Sequence, residues 1–153
     1  AQGRHDDALG RWYRLIEWTA QWQLRTRLRA DADTGDFPPD LVPPGMEAAP
    51  GLDGKIKFGL SKSWEVIESG PPNPARAFWA TQKRRLRDLL RKRNESILAH
   101  GFRCVTAADW DEVGAFTEDR FLPVLRDLAR DAGLKNPPEQ LPKEPPEKLL
   151  GFD

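Results

Sequence analysis

Apolar residues recur every three or four positions over four stretches of the chain, and none of these stretches shows the alternation of a strand. Residues 6 to 30 (DDALGRWYRLIEWTAQWQLRTRLRA) place Trp12, Leu15, Ile16, Thr19 and Trp22 on one stripe, which predicts an amphipathic helix. Asp6 or Asp7 is positioned to cap its start, and Arg25, Arg27 and Arg29 lie where cations oppose the helix dipole favourably. Residues 55 to 69 predict a second, shorter helix with Ile56, Leu60, Trp64 and Ile67 on one face. Gly59 weakens it, and Gly70, Pro71 and Pro72 end it. Residues 74 to 100 give the clearest helical signal. Asn73 suits the cap, Pro74 suits the first turn, and neither glycine nor proline interrupts the run before Gly101. A fourth helix is expected from the TAAD sequence at 106–109 to about Ala132, with Pro123 kinking or splitting it.

The segments between these stretches have a different composition. Residues 31–54 contain Pro38, Pro39, Pro43, Pro44 and Pro50 with Gly35, Gly45, Gly51 and Gly54, which forbid a regular element. A connection this long is uncommon inside a compact domain. Residues 134–153 are rich in proline and charge and read as an extended tail that packs on a neighbour or on another domain. The expected fold is therefore all-α: antiparallel helices joined by long loops in one domain over residues 1–133, followed by the tail.

Composition narrows the function classes. The 153 residues carry 24 basic and 24 acidic side chains, so net charge gives no sign of a polyanion partner, and a nucleic-acid site has to come from local clustering. The one cysteine, Cys104, excludes an internal disulfide and every multi-cysteine metal site. A reducing, cytoplasmic setting fits that usage. Cys104 sits in a short polar connection with only two histidines in the chain to serve it, which argues against a nucleophile. No apolar run approaches the roughly 20 residues of a membrane span. The chain opens on Ala1 and its only methionine is Met46, which suggests a piece of a longer protein or a processed one.

The candidate chemistry lies on the third predicted helix. Trp79, Leu86, Arg93 and His100 follow one another at seven-residue steps, and a straight helix keeps such positions on one narrow stripe. Two bulky apolar residues thus give way to arginine and histidine. One explanation is structural: the stripe leaves the core, Arg93 extends to water and His100 caps carbonyls. The other is chemical. About 10 Å of helix separates the two backbones, so both side chains can converge on one phosphate. Imidazole moves a proton near neutral pH, and guanidinium holds a phosphate through two parallel hydrogen bonds. Those two abilities suffice to cleave RNA by attack of the 2′-hydroxyl, without a metal or other cofactor.

The sequence RNESILAHG resembles the signature of the HEPN ribonuclease superfamily: arginine, commonly followed by a polar residue, then histidine a few positions on. Arg93, Asn94 and His100 match it. The wider run LLRKRNESILAHGF, together with RWYRLIEWTAQWQLR, is similar to the C-terminal part of CRISPR-associated proteins that pair a CARF sensor domain with a HEPN effector domain. The resemblance implies a HEPN helical bundle, a homodimer with both Arg–His pairs in one cleft, and metal-independent cleavage of single-stranded RNA. It also implies prokaryotic cytoplasm and activation by cyclic oligoadenylate in a type III CRISPR response. That ligand would act through a sensor domain, and no CARF-like pattern occurs in these residues. Within the resemblance, His100 transfers the proton, Arg93 stabilises the scissile phosphate and Asn94 orients a side chain or the RNA. Arg91, Lys92 and Arg103 are candidates for neighbouring phosphates, or else belong to a solvated face. Two further readings stay open. One is a non-catalytic HEPN-like module that binds RNA or nucleotide or only dimerises. The other is an oligomerisation domain in which Arg93 and His100 pair with acids such as Glu17 or Asp88.

Overall fold

The helices form where the periodicity places them, with displaced ends. A computed structural model describes residues 2–29, 37–46, 56–96 and 103–133. It contains α1 (Gln2–Leu28), α2 (Leu60–Ser69), α3 (Pro74–Asn94), α4 (Ala107–Phe116) and α5 (Leu122–Asp131). A short 3₁₀ turn, Pro39–Leu41, lies in the long connection. Among the described residues there is no strand, only an isolated bridge between Ser96 and Arg103. No described helix is long and apolar enough to cross a membrane.

The direction of each helix follows from its contacts. Glu65 and Glu68 on α2 pair with Arg87 and Lys83 on α3, so these two helices form an antiparallel hairpin. The Trp79 indole also donates to Glu68 at 3.0 Å. Lys92, near the end of α3, reaches Asp109 near the start of α4, so this neighbour is antiparallel too. The α1–α2 pair is different. Tyr13 shares a cleft with the start of α2, while Gln23 and Arg27 lie beside Ile67 and Gly70 at its end. These two helices run parallel, beside the antiparallel α2–α3 and α3–α4 pairs. Parallel packing of consecutive helices explains the length of the proline- and glycine-rich connection, which carries the chain back along the bundle before α2 begins. Within it, Phe37 is buried edge-on against Phe58, at 4.6 Å between ring centroids.

The core is aromatic at its centre. Trp64 of α2 stacks on Trp79 of α3 at 5.7 Å, and Phe78 contacts Trp64, Phe116 and Phe121. From α1 the core takes Leu9, Trp12, Ile16, Ala20 and Leu24. This stripe is rotated from the expected one, and Leu15 and Trp22 lie at the solvent edge. Asp6 and Asp7 fall inside α1 rather than capping it; Asp7 pairs with Arg11 one turn on.

Three other boundaries differ from expectation for identifiable reasons. Helix α2 starts at Leu60 instead of residue 55, because Gly59 takes an extended N-cap conformation. Pro123 does not split the last helix; a π turn, Thr117–Phe121, absorbs it. The Leu122 amide reaches back to the Thr117 carbonyl, and this wider turn accommodates the missing donor and the ring of the proline. Helix α3 starts as expected, with Asn73 Oδ1 accepting from the Arg76 amide at 2.9 Å. Asn73→Ala is expected to lower stability by about 1 kcal/mol in a urea titration. The helix stops at Asn94, not at His100. Leu90 is its last buried apolar side chain, and the backbone groups that follow take partners outside the helical ladder. The Ser96 amide closes on the Arg93 carbonyl at 3.0 Å, and the Arg103 amide donates to the Glu95 carbonyl at 3.1 Å. Ile97, His100 and Gly101 lie outside the described residues.

A candidate anion-binding cleft at the end of helix α3

Arg93 sits in the last turn of α3, on the line that carries Trp79 and Leu86 into the core. It is only partly exposed. Its guanidinium lies over the ring of Tyr13 on α1, 4.1 Å from the centroid. Nη1 donates to Oδ1 of the adjacent Asn94 at 3.2 Å. Among the described residues no carboxylate pairs with Arg93. The two acids expected as partners are used locally: Glu17 binds Arg14, and Asp88 lies 3.6 Å from Arg91. A stacked guanidinium occupies its face and leaves most of its in-plane donors for an acceptor with two oxygens.

The space beside this arginine is a cleft of about 330 Å³, lined by Tyr13, Leu60, Ser61, Lys62, Leu90 and Asn94. Its far wall is the first turn of α2, whose Gly59 N-cap offers no side-chain acceptor. The first amides of that helix therefore add positive potential to the same opening. Sequence patterning does not single out Tyr13, because its position falls outside the main stripe of α1. The stack contributes about 0.5–1 kcal/mol in such a setting.

The other candidate residues are distributed unequally. Asn94 lines the cleft. Arg91 is exposed on α3 and faces Asp88. Lys92 and Arg103 are tied to a separate carboxylate centre. The buried Asp109 receives Lys92 Nζ at 3.0 Å and Arg103 Nη2 at 2.8 Å. It also accepts from the Thr106 amide and hydroxyl, completing a reciprocal cap at the start of α4. Burial pushes the Asp109 carboxyl upward, but the bonds from Thr106 and Lys92 and the charge of Arg103 outweigh it and hold the pKa well below the usual carboxylate range. The hydrogen bond to Glu112, followed by that to Asp109, raises the pKa of Lys92. These two cations serve the joint between α3 and α4. His100 lies outside the described residues, and because α3 ends at Asn94 a continuous helix does not link it to Arg93.

Comparison with known proteins supplies the family. The family model described as the Csm6 HEPN domain matches residues 1–121, which includes the Tyr13 stack, Arg93, Asn94, His100 and the Asp109 joint. Neither the curated proteins nor the solved structures give a match. With the match spanning most of the sequence and the bundle wholly helical among the described residues, the chain belongs to the Csm6 HEPN domain family, a CRISPR-associated type.

Proposed function

We propose that this chain is a metal-independent endoribonuclease. It cleaves single-stranded RNA at a composite site made by two copies, as the effector of a type III CRISPR response. Membership of a CRISPR-associated HEPN family supports a ribonuclease role. The observation that carries the residue assignment is Arg93: a stacked, partly buried cation with no carboxylate among the described residues, its stacking partner Tyr13 lining a cleft. A guanidinium held by its face keeps in-plane donors for an anion with two oxygens.

The chemistry follows from the residue types. Neutral His100 accepts the proton of the 2′-hydroxyl as that oxygen attacks the adjacent phosphorus. The bond to the 5′-oxygen breaks, and a protonated imidazole, the partner copy's equivalent, supplies the proton that oxygen needs. Products are a 2′,3′-cyclic phosphate and a 5′-hydroxyl. Arg93 donates to the non-bridging oxygens, where charge accumulates in the transition state. Asn94, already hydrogen bonded to Arg93, fixes its approach. Control by cyclic oligoadenylate would enter through a sensor domain outside these residues.

The test is incubation with a fluorescent single-stranded RNA in excess EDTA. The expected result is cleavage that disappears in His100→Ala while the melting curve is unchanged. RNA binding without cleavage by the dimeric wild type identifies a non-catalytic module, and full activity in His100→Ala removes the mechanism.

A further inference from the structure

Among the described residues three arginines lie over aromatic rings, and they differ in what else holds them. Arg85 stands 5.9 Å from the Phe116 centroid, near the outer limit of about 6 Å for such contacts. Arg87 stands 5.3 Å from the Trp79 centroid, and Glu65 also binds its guanidinium at 2.6 Å. Arg93 makes the shortest approach of the three, 4.1 Å from the Tyr13 centroid, with no carboxylate among the described residues. For Arg87 the ring supplements an ion pair. For Arg93 the ring takes the place of one.

The second contact of Arg93 is the 3.2 Å bond from Nη1 to Oδ1 of Asn94. The two are chain neighbours in the last turn of α3, so this bond ties one side chain to the other and to no second helix. Tyr13 supplies the reference to the rest of the bundle. It lies on α1 between Trp12 and Ile16, which are 5% and 0% exposed, and packs on the core itself. A tyrosine ring has only two side-chain torsions to fix, whereas an arginine is rich in rotamers. A ring anchored by α1 therefore sets the plane of the guanidinium, and the in-plane donors are left for an acceptor. Tyr13 and Asn94 line the same cleft, with Leu90 between α1 and the end of α3.

We propose that Tyr13 is a positioning residue: its ring fixes the plane of the Arg93 guanidinium, so that the donors meet a backbone phosphate already oriented. The proposal rests on the reading of Arg93 as a phosphate ligand. Tyr13 touches no reacting atom and acts through Arg93. Such placement has kinetic weight, because a shift of about 1 Å in a catalytic group can cost about 10²-fold in rate.

The test compares the full wild-type chain with Tyr13→Phe, which keeps the ring, and Tyr13→Leu, which fills the space without a π face. Tyr13 is only partly buried, and an unchanged melting curve checks that leucine is accommodated. The first readout needs no activity. In nitrogen-15-labelled protein the Arg93 Nε–H signal is assigned by its loss in Arg93→Lys, and a proton over an aromatic face resonates upfield. That signal is expected upfield and rigid in the wild type and Tyr13→Phe, and at the ordinary position and mobile in Tyr13→Leu. The second readout is single-turnover cleavage at saturating RNA. Tyr13→Leu is expected to be about tenfold slower, Tyr13→Phe within about twofold of wild type, and Tyr13→Leu to add nothing once Arg93 is alanine. An ordinary Arg93 signal in the wild type, or an unmoved one in Tyr13→Leu, overturns the proposal and leaves the nuclease reading intact. So does a Tyr13→Leu rate equal to wild type, or a rate loss that persists in the Arg93→Ala background. If the wild type cleaves no RNA, the nuclease reading fails instead, and titration with a 2′-O-methylated single strand decides the proposal. A shift of the Arg93 signal in the wild type and Tyr13→Phe but not in Tyr13→Leu supports it, and equal shifts or none overturn it.

Discussion

Arg93→Ala is expected to lower the single-turnover rate of RNA cleavage by about 10²–10³-fold, the usual loss when one preorganised donor to a developing oxyanion is removed. The stability cost should be small by comparison. Arg93 has a stack on Tyr13 and a bond to its own neighbour, and no ion pair among the described residues, so its contribution to folding is about 0.5–1 kcal/mol. A large kinetic effect with a small melting shift separates a phosphate ligand from a structural arginine. Arg93→Lys sharpens the comparison. Lysine keeps the charge but loses the planar fork and the flat stacking surface, so only partial rescue is expected. Full rescue by lysine would mean that a point charge suffices and that the stacked geometry is incidental.

Asp109→Ala is expected to be the more damaging change for stability. Asp109 caps α4 through Thr106 and binds Lys92 and Arg103 from the other side of the joint. Removing it abolishes the carboxylate half of the capping box, leaving the Thr106 bond to the residue-109 amide, and takes from two cations their shared partner. The cations are partly exposed, which limits the penalty to about 3 kcal/mol. For a domain of this size that corresponds to a melting temperature lower by about 10 °C. The pH dependence has a defined sign. The Asp109 pKa is depressed on folding, so its stabilisation is complete above the unfolded-state pKa of about 3.9. It is lost as pH falls below that value, through the still lower folded-state pKa. Lys92 acts in the opposite range: its pKa is raised, so its contribution is present below about pH 10.4 and is lost as pH rises through the folded-state value. Urea titrations of wild type and Asp109→Asn between pH 2 and 6 check this. The wild type should lose stability steeply in acid, and the variant should lose it less steeply.

Much of the fold is legible because α2, α3 and the 107–131 segment present one apolar face each to the core. Trp64, Leu86 and Phe116 lie where a 3.6-residue period places them. The sequence misleads where a helix has two apolar faces. On α1, periodicity puts Leu15 and Trp22 on one stripe with Trp12 and Ile16, although only the latter two are buried. Periodicity counts apolar residues and cannot tell a face that meets the core from one that meets solvent. The end of α3 is invisible in sequence for a related reason. Residues 95–100 contain no helix breaker, and at the stop the Glu95 carbonyl takes the Arg103 amide, a partner distant in sequence that no local pattern announces. In the candidate site, the choice of Arg93 and Asn94 comes from the family-like motif; Asn94 lines the cleft, and Arg93 stacks on Tyr13, which lines it too. The ion pairs of Lys92 and Arg103 are not legible, because sequence counts charges without their partners. The acids that hold them, Asp109 and Glu112, lie on another helix. Tyr13 escapes notice because an aromatic outside the main stripe has no meaning until α3 is known to end above it.

A structure of the chain bound to a short RNA blocked by 2′-O-methylation puts Arg93 as phosphate ligand to the test. A backbone phosphate is expected within hydrogen-bonding distance of the Arg93 guanidinium, with His100 beside the blocked 2′-oxygen and a second copy closing the cleft. RNA bound on another face, with Arg93 still stacked on Tyr13 and no phosphate near it, would rule that role out.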